Sequence, residues 1–91
     1  MKNIGIIGAG TMGNGIAHVS AMSGFNTFLI DVNEDLLKQG LDTIEGNLLR
    51  QLKKENISQI EMDSALRNIQ PTTDYNTLSI CDVAIEAATE N

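Results

Sequence analysis

The first thirty residues contain two short apolar runs separated by a segment with helical periodicity. Residues 4–7 form a continuous apolar run, which predicts a strand buried on both faces, as in parallel sheets. Residues 25–30 form a second short apolar run that ends at Asp31. Between them, Met12, Ile16 and Val19 recur at helical spacing. The order strand, helix, strand predicts a βαβ unit.

A longer amphipathic segment follows. Its apolar stripe recurs every three or four residues, at Leu37, Leu41, Ile44, Leu48 and Leu52. Asn33 is a suitable N-cap, and basic residues gather towards Lys54, where the helix dipole favours cations. The pattern therefore predicts a helix from about 33 to 54. Gly40 and Gly46 lie inside it, where glycine is unfavourable, and they predict close contact with another element.

Shorter elements complete the chain. Ser58 and Glu61 have capping-box spacing, which predicts a helix over 58–68, with Ile60, Ala65 and Leu66 as its apolar residues.

The remaining segments predict a third strand at 69–73, a helical turn at 75–80 and a fourth strand at 82–87. Because proline cannot donate to a strand ladder, Pro71 predicts that the third strand lies at a sheet edge. The fold class is therefore α/β, with an open, doubly wound parallel sheet in the order 3-2-1-4 that is incomplete after strand four. An unpaired apolar edge at 82–87 predicts self-association or partial folding.

Composition narrows the choice of partners. A chain of 91 residues with 42% apolar residues and a mean hydropathy of −0.06 is at most one small globular unit. No apolar stretch is long enough to cross a bilayer. A net charge of −6 and an aromatic content of 3% argue against nucleic acid or an anionic membrane as the main partner.

The lone cysteine and the N-terminal residues bear on compartment. Cys81 is the single cysteine, so an intrachain disulfide and a multi-cysteine metal site are excluded, and no metal is expected. It is interpreted as a small buried thiol. Residues 1–8 are interrupted too soon by glycine to be a signal peptide, so a cytoplasmic location is expected.

The most informative motif is Gly-Ala-Gly-Thr-Met-Gly at residues 8–13, which matches G-x-G-x-x-G between a predicted strand and a predicted helix. Gly8 permits the tight turn, Gly10 lets a pyrophosphate approach, and Gly13 lets the helix press on the sheet. Asp31 ends the next strand, where a carboxylate binds the adenosine ribose and repels a 2′-phosphate, so NAD is favoured over NADP. An ordinary glycine turn is the alternative interpretation.

Both ends of the chain carry a family resemblance. The segments IGIIGAGTMGNGIAHV and CDVAIEAATEN resemble the N-terminal part of the 3-hydroxyacyl-CoA dehydrogenases, in particular the bacterial 3-hydroxybutyryl-CoA dehydrogenases. The chain is less similar to the hydroxyisobutyrate and phosphogluconate dehydrogenases. The resemblance covers the whole chain and implies a Rossmann-type fold that binds NAD. Residues 1–91 would form the N-terminal part of this domain, truncated after strand four.

The resemblance also implies site residues. Those bordering the pyrophosphate would be Gly8, Ala9, Gly10, Thr11, Met12 and Gly13. Asp31 would bind the ribose, while Ala87 and Glu90 would lie on the nicotinamide side. Asn47 and Lys54, two turns apart on one helix face, would contact coenzyme A. Asn47 departs from the serine of some members, and Lys54 also fits a surface lysine that offsets the helix dipole.

By resemblance, the parent protein is an enzyme of fatty acid and butanoate metabolism. It would interconvert 3-hydroxyacyl-CoA, in particular 3-hydroxybutyryl-CoA, and 3-ketoacyl-CoA by hydride transfer, as a homodimer. The family's catalytic residues follow the strand-four signature, so none is expected in this chain, which alone should be inactive. His18 has no orienting carboxylate and is interpreted as a helix-surface or hydrogen-bonded residue. Another β-hydroxyacid dehydrogenase and a non-catalytic NAD-binding module remain alternatives.

Overall fold

The structure, a computed structural model, describes residues 2–87. Its elements, in chain order, are β1 (Asn3–Ile7), α1 (Thr11–Met22), β2 (Asn26–Ile30), α2 (Glu34–Lys53), α3 (Gln59–Arg67), β3 (Ile69–Thr72), a 3-10 helix (Tyr75–Ile80) and β4 (Val83–Glu86).

The four strands form one parallel sheet in the order β3-β2-β1-β4. The predicted order is therefore confirmed, and Pro71 lies in the edge strand β3. Ile6 of β1 pairs in register with Leu29 of β2, and both side chains are fully buried in the core formed with the helices. Gly5 faces the opposite side, where a Cβ would lie 2.9 Å from both Cys81 Sγ and Leu78 Cδ2, so the 3-10 helix and the cysteine that follows it cover that face.

The apolar stripe of α2 forms much of the core, as its spacing predicts. Leu37, Ile44 and Leu48 are buried, and Leu41 and Leu52 pack partly buried against them. Gly40 of the same helix makes the predicted close approach, because a Cβ there would lie 3.0 Å from the carbonyl oxygen of Ala9. The helix therefore lies directly against the glycine turn.

The helix ends follow the local sequence signals. The Asn33 side chain accepts a hydrogen bond from the Leu36 N–H at 3.0 Å. Ser58 and Glu61 form the complete capping box at the start of α3. Gly24 follows α1 with a φ of 92°, a left-handed conformation that glycine adopts without strain.

One packing prediction is wrong, and one is only partly right. Of the apolar residues of α3, Met62 and Ala65 are buried on the face that meets the core, whereas Ile60 lies on another face and is 77% exposed. A Cβ at Gly46 would meet no heavy atom within 4 Å, so this glycine serves no close contact. Cys81, which was predicted to be buried, is half-buried.

The β4 edge carries exposed apolar surface. Among the described strands, β4 pairs with β1 alone, and Val83 is 42% exposed. Within residues 2–87, no helix combines the length and apolar character that crossing a bilayer requires.

Candidate functional site

A cleft of about 580 Å³ opens beside the glycine turn, at the carboxyl ends of β1 and β2. Open α/β sheets bind their ligands at the carboxyl ends of the strands. Its lining residues are Gly8, Gly10, Thr11, Met12, Asp31, Leu36 and Ala87. We call this the glycine cleft. Six of its seven lining residues are among those predicted from the sequence.

The N-terminus of α1 meets this cleft without a side-chain cap. Gly10 is the N-cap residue, no side chain accepts a hydrogen bond there, and the first turn contains no acidic residue. The first backbone N–H groups of a helix lack intrahelical partners, and the helix dipole adds positive charge at this end. A Cβ at Gly10 would meet nothing within 4 Å, so the approach to these donors is open. This arrangement fits a pyrophosphate.

Two other glycines are required by the turn itself. Gly8 has a φ of 104°, and its N–H donates to the Ile30 carbonyl at 2.7 Å. At Gly13, a Cβ would lie 1.7 Å from the carbonyl oxygen of Gly8, a distance that no side chain can occupy. Gly13 therefore sets the close packing of α1 on the turn, as predicted, and contributes no lining to the cleft.

Asp31 links the two turns that border the cleft. It is 9% exposed. Its Oδ2 accepts the Ala9 N–H at 2.9 Å, and its Oδ1 accepts the Asn33 N–H at 2.9 Å. An ionised carboxylate offers about four acceptor positions, so two remain for ribose hydroxyls. The same fixed charge opposes a 2′-phosphate in this cleft.

Three further residues were predicted for this site, namely Ala9, Ala87 and Glu90. The Ala9 side chain is buried in the core, so only its backbone contributes, through the bond to Asp31. Ala87 is 8% exposed at the cleft wall. Glu90 lies outside the described residues.

Leu36 is the cleft residue that the sequence analysis missed. It lies in the first turn of α2 and is 36% exposed. The sequence did contain a signal for this contact, because Leu36 is an apolar residue that precedes Leu37 but lies outside the buried stripe of α2. An apolar residue without a core position is a candidate for ligand contact.

A second cleft of about 430 Å³ lies between α1 and α2. Its lining residues are His18, Asn47, Arg50, Gln51, Lys54 and Asn56. We call this the basic cleft. It brings Asn47 and Lys54 together as predicted. It also contains His18, which was interpreted from the sequence as a helix-surface or hydrogen-bonded residue. Arg50 and Gln51 also line the cleft and were not selected from the sequence.

Two observations describe the polar groups of the basic cleft. A guanidinium N–H of Arg50 donates to Asn47 Oδ1, and Gln51 Oε1 is buried without a hydrogen-bond partner. Among the described residues, no carboxylate lines the cleft. His18 is half-buried and lies apart from the glycine cleft.

Cys81 lies in neither cleft. Burial, and after it the neighbouring Asp82 carboxylate, raises the pKa of its thiol.

Within residues 2–87, no three His, Cys, Asp or Glu side chains are grouped as metal ligands.

Comparison with known proteins identifies the family. Residues 3–91 match the family model described as 3-hydroxyacyl-CoA dehydrogenase, NAD binding domain. The chain is 47% identical over 90 residues to a 3-hydroxybutyryl-CoA dehydrogenase of Bradyrhizobium diazoefficiens, covering 99% of this chain and 31% of that protein.

Solved structures agree. The (S)-3-hydroxybutyryl-CoA dehydrogenase PaaH1 from Ralstonia eutropha matches with a TM-score of 0.95 and 42% identity, covering 100% of this chain and 32% of that one. FadB2 of M. tuberculosis matches with a TM-score of 0.94 and 36% identity, covering 100% and 32%. The chain thus spans about a third of the length of these relatives. The predicted fold and family resemblance are confirmed.

Proposed function

The chain belongs to the 3-hydroxyacyl-CoA dehydrogenase family, whose NAD-binding domain it matches over residues 3–91, and we propose that its glycine cleft holds NAD for the interconversion of 3-hydroxyacyl-CoA and 3-ketoacyl-CoA. The observation that carries the proposal is the uncapped start of α1 facing a cleft bordered by Asp31. The proposed substrate is 3-hydroxybutyryl-CoA, because relatives that are 47% and 42% identical carry that name.

Each part of the cofactor has a proposed contact. The pyrophosphate accepts hydrogen bonds from the N–H groups of the first turn of α1, beside Gly10. The ribose hydroxyls donate to Asp31, whose position is fixed by its two backbone hydrogen bonds. Leu36 offers the apolar contact for the adenine, and Ala87 lies on the nicotinamide side, which continues towards Glu90.

When bound, NAD supplies a nicotinamide ring that exchanges a hydride with C3 of the acyl-CoA. The proposed role of this chain is to bind and orient the cofactor, and we place no catalytic residue in it. Asn47 and Lys54 are proposed to contact coenzyme A. Their common location in the basic cleft supports this assignment.

The proposal extends to a second copy of the chain. An exposed apolar edge strand can pair with another chain, and Val83 of β4 is 42% exposed. We therefore propose that this chain self-associates through residues 82–87, and that the parent enzyme is a cytoplasmic homodimer. Sedimentation of the 91-residue chain across a hundredfold range of concentration tests the self-association. A folded species that stays monomeric throughout contradicts it.

Titration of the chain with NADH and NADPH, followed by nicotinamide fluorescence, tests the cofactor assignment. We expect saturable NADH binding, weaker NADPH binding, and a loss of about tenfold or more in NADH affinity in Asp31→Asn, since a charged acceptor is removed from buried donors. Asp35→Asn is the matched control, because Asp35 is an exposed acid in the first turn of α2. Equal NADH binding by Asp31→Asn and the unmodified chain contradicts the assignment, and so does a folded chain that binds neither nucleotide.

A further inference from the structure

His18 lies in the basic cleft, outside the residues proposed to hold NAD. It projects from α1, whereas Asn47, Arg50 and Lys54 belong to the C-terminal part of α2 and its C-cap. We propose that His18 is a further substrate-binding residue, which holds a phosphate group of coenzyme A from the wall of the cleft opposite Lys54. This inference rests on the proposed acyl-CoA substrate and adds a residue to that site.

The charge of the cleft differs in sign from that of the chain. The net charge of the chain is −6, yet the basic cleft contains Arg50 and Lys54, together with His18, and no carboxylate. Three of the six Lys and Arg residues of the chain fall within five positions, at Arg50, Lys53 and Lys54. Local positive charge on an acidic protein concentrates anions at that site. The ligand that the cleft attracts is therefore anionic.

The hydrogen-bonding groups favour an acceptor-rich anion. Because Arg50 donates to Asn47 Oδ1, the Asn47 amide is oriented with its NH₂ group left to donate to a ligand. His18, Lys54 and Asn56 provide further N–H donors from the other lining positions. A phosphate presents several strong acceptor oxygens, and hydrogen bonds between ionised partners are about twice as strong as neutral ones.

The packing of the two helices makes His18 a fixed wall of this site. Gly40 allows α2 to approach so closely that a Cβ there would lie 3.5 Å from Asn14 Cβ of α1. His18 is one helical turn after Asn14 and is half-buried, so its side chain has less freedom than an exposed one. A ligand in the cleft then meets donors from two helices. Lys54 alone would be an exposed cation of small binding value.

The unmodified chain allows a direct test, because His18 is its single histidine, so one imidazole Cε1–H resonance in the NMR spectrum reports on it. The chain is first saturated with NADH, so that the adenosine phosphates of coenzyme A do not enter the glycine cleft. We expect added coenzyme A to shift the His18 resonance progressively to saturation, and pantetheine, which lacks the nucleotide phosphates, to leave it in place. Coenzyme A that binds without moving this resonance, or that does not bind, overturns the proposal.

Substitution gives the size of the effect. We expect His18→Ala to weaken coenzyme A binding by about tenfold, the loss of one charge-assisted hydrogen bond, while NADH affinity stays unchanged. His18→Gln, which keeps an N–H donor, should lose less. Lys38→Ala is the matched control for Lys54→Ala, because Lys38 is an exposed cation on α2 outside the cleft.

The two proposals fail in different ways. A chain that is folded but does not bind NADH contradicts the proposed cofactor site, whatever coenzyme A does. A chain that binds NADH, and whose coenzyme A affinity falls in Lys54→Ala but not in His18→Ala, contradicts the role of His18 alone. If His18→Ala does not fold, the resonance of His18 in the unmodified chain decides.

Discussion

The helices α1 and α3 begin in opposite ways. At α3, the Ser58 side chain accepts the Glu61 N–H at 3.1 Å and the Glu61 carboxylate accepts the Ser58 N–H at 2.8 Å. At α1, the N-cap is Gly10, and no side chain within residues 2–87 caps the helix start. A side-chain cap contributes about 1 kcal/mol of stability. The chain therefore stabilises the start of α3 with side chains and leaves free donors at the start of α1, which borders the glycine cleft.

The glycines of α1 show a similar division. Gly13 lies against the Gly8 carbonyl, where a Cβ would be 1.7 Å from the oxygen, whereas a Cβ at Gly15 would meet nothing within 4 Å. The first glycine is required by the turn, and the second lowers helix stability without providing a close contact. Substitutions at the start of α1 and at the start of α3 can therefore separate effects on NADH affinity from effects on the free energy of unfolding.

The largest effect is expected at Gly13. Gly13→Ala forces α1 away from the turn, so we expect a loss of about 3 kcal/mol or more in the free energy of unfolding, at the upper end of overpacking costs. NADH binding should be lost with it. Gly15→Ala is the matched control in the same helix and should raise stability by about 0.5–1 kcal/mol. Urea unfolding followed by circular dichroism measures both. Equal stability of the two variants would show that the turn is not packed as described.

Gly10→Asp should make the start of α1 repel an anion instead of attracting it, while the chain keeps its fold. The backbone at Gly10 is extended and has space for a side chain, so the carboxylate can cap the free N–H groups and repel a pyrophosphate. We expect NADH affinity to fall by about tenfold or more, with stability unchanged or higher by about 0.5–1 kcal/mol. Gly10→Ala separates the charge from the added volume. A variant with Asp at this position that binds NADH as tightly as the unmodified chain would contradict the proposed pyrophosphate site.

Ser58→Ala, which removes the side-chain cap of α3, should have the opposite effects to Gly10→Asp. Removal of the cap should cost about 1 kcal/mol of stability and leave NADH affinity unchanged under conditions where the chain is fully folded. Thermal unfolding and NADH titration on the same sample measure the two quantities. Ser58→Thr, which keeps a capping hydroxyl, is the control. A drop in NADH affinity at full folding would mean that the two helix starts are not independent.

The smallest effect concerns the glycines of α2. Gly46→Ala should raise stability by about 0.5–1 kcal/mol, because a Cβ there meets no neighbour and the helix gains propensity. Gly40→Ala should gain less or lose stability, since its Cβ would lie 3.0 Å from the Ala9 carbonyl oxygen. Denaturant titration compares the two. A larger gain at Gly40 than at Gly46 would contradict the close approach of α2 to the glycine turn.

Most of the fold follows from patterns that are local in sequence. Continuous apolar runs predict parallel strands, the capping signals predict where α2 and α3 begin, and Pro71 predicts the edge position of β3. The buried face of α3 could not be predicted, because a short helix with few apolar residues does not define one. That face depends on where α3 meets the rest of the core, where Met62 is buried.

The site is less predictable than the fold because its contacts join distant segments. The motif at residues 8–13 and Asp31 are recognisable from spacing, but the hydrogen bond from the Ala9 N–H to Asp31 is not. Likewise, His18 and Lys54 line the same cleft only because α1 packs against α2, which periodicity does not encode. Leu36 shows the same limit, since an off-stripe leucine is recognised as cleft lining only once the cleft is formed.

The uncapped N–H groups of α1 are proposed to bind the pyrophosphate of NAD. Two-dimensional NMR of the ¹⁵N-labelled chain during NADH titration tests this most directly. We expect the amide resonances of Thr11, Met12 and Gly13 to shift most, while those of the capped first turn of α3 stay in place. Saturable NADH binding that leaves the α1 amides unmoved would contradict the claim.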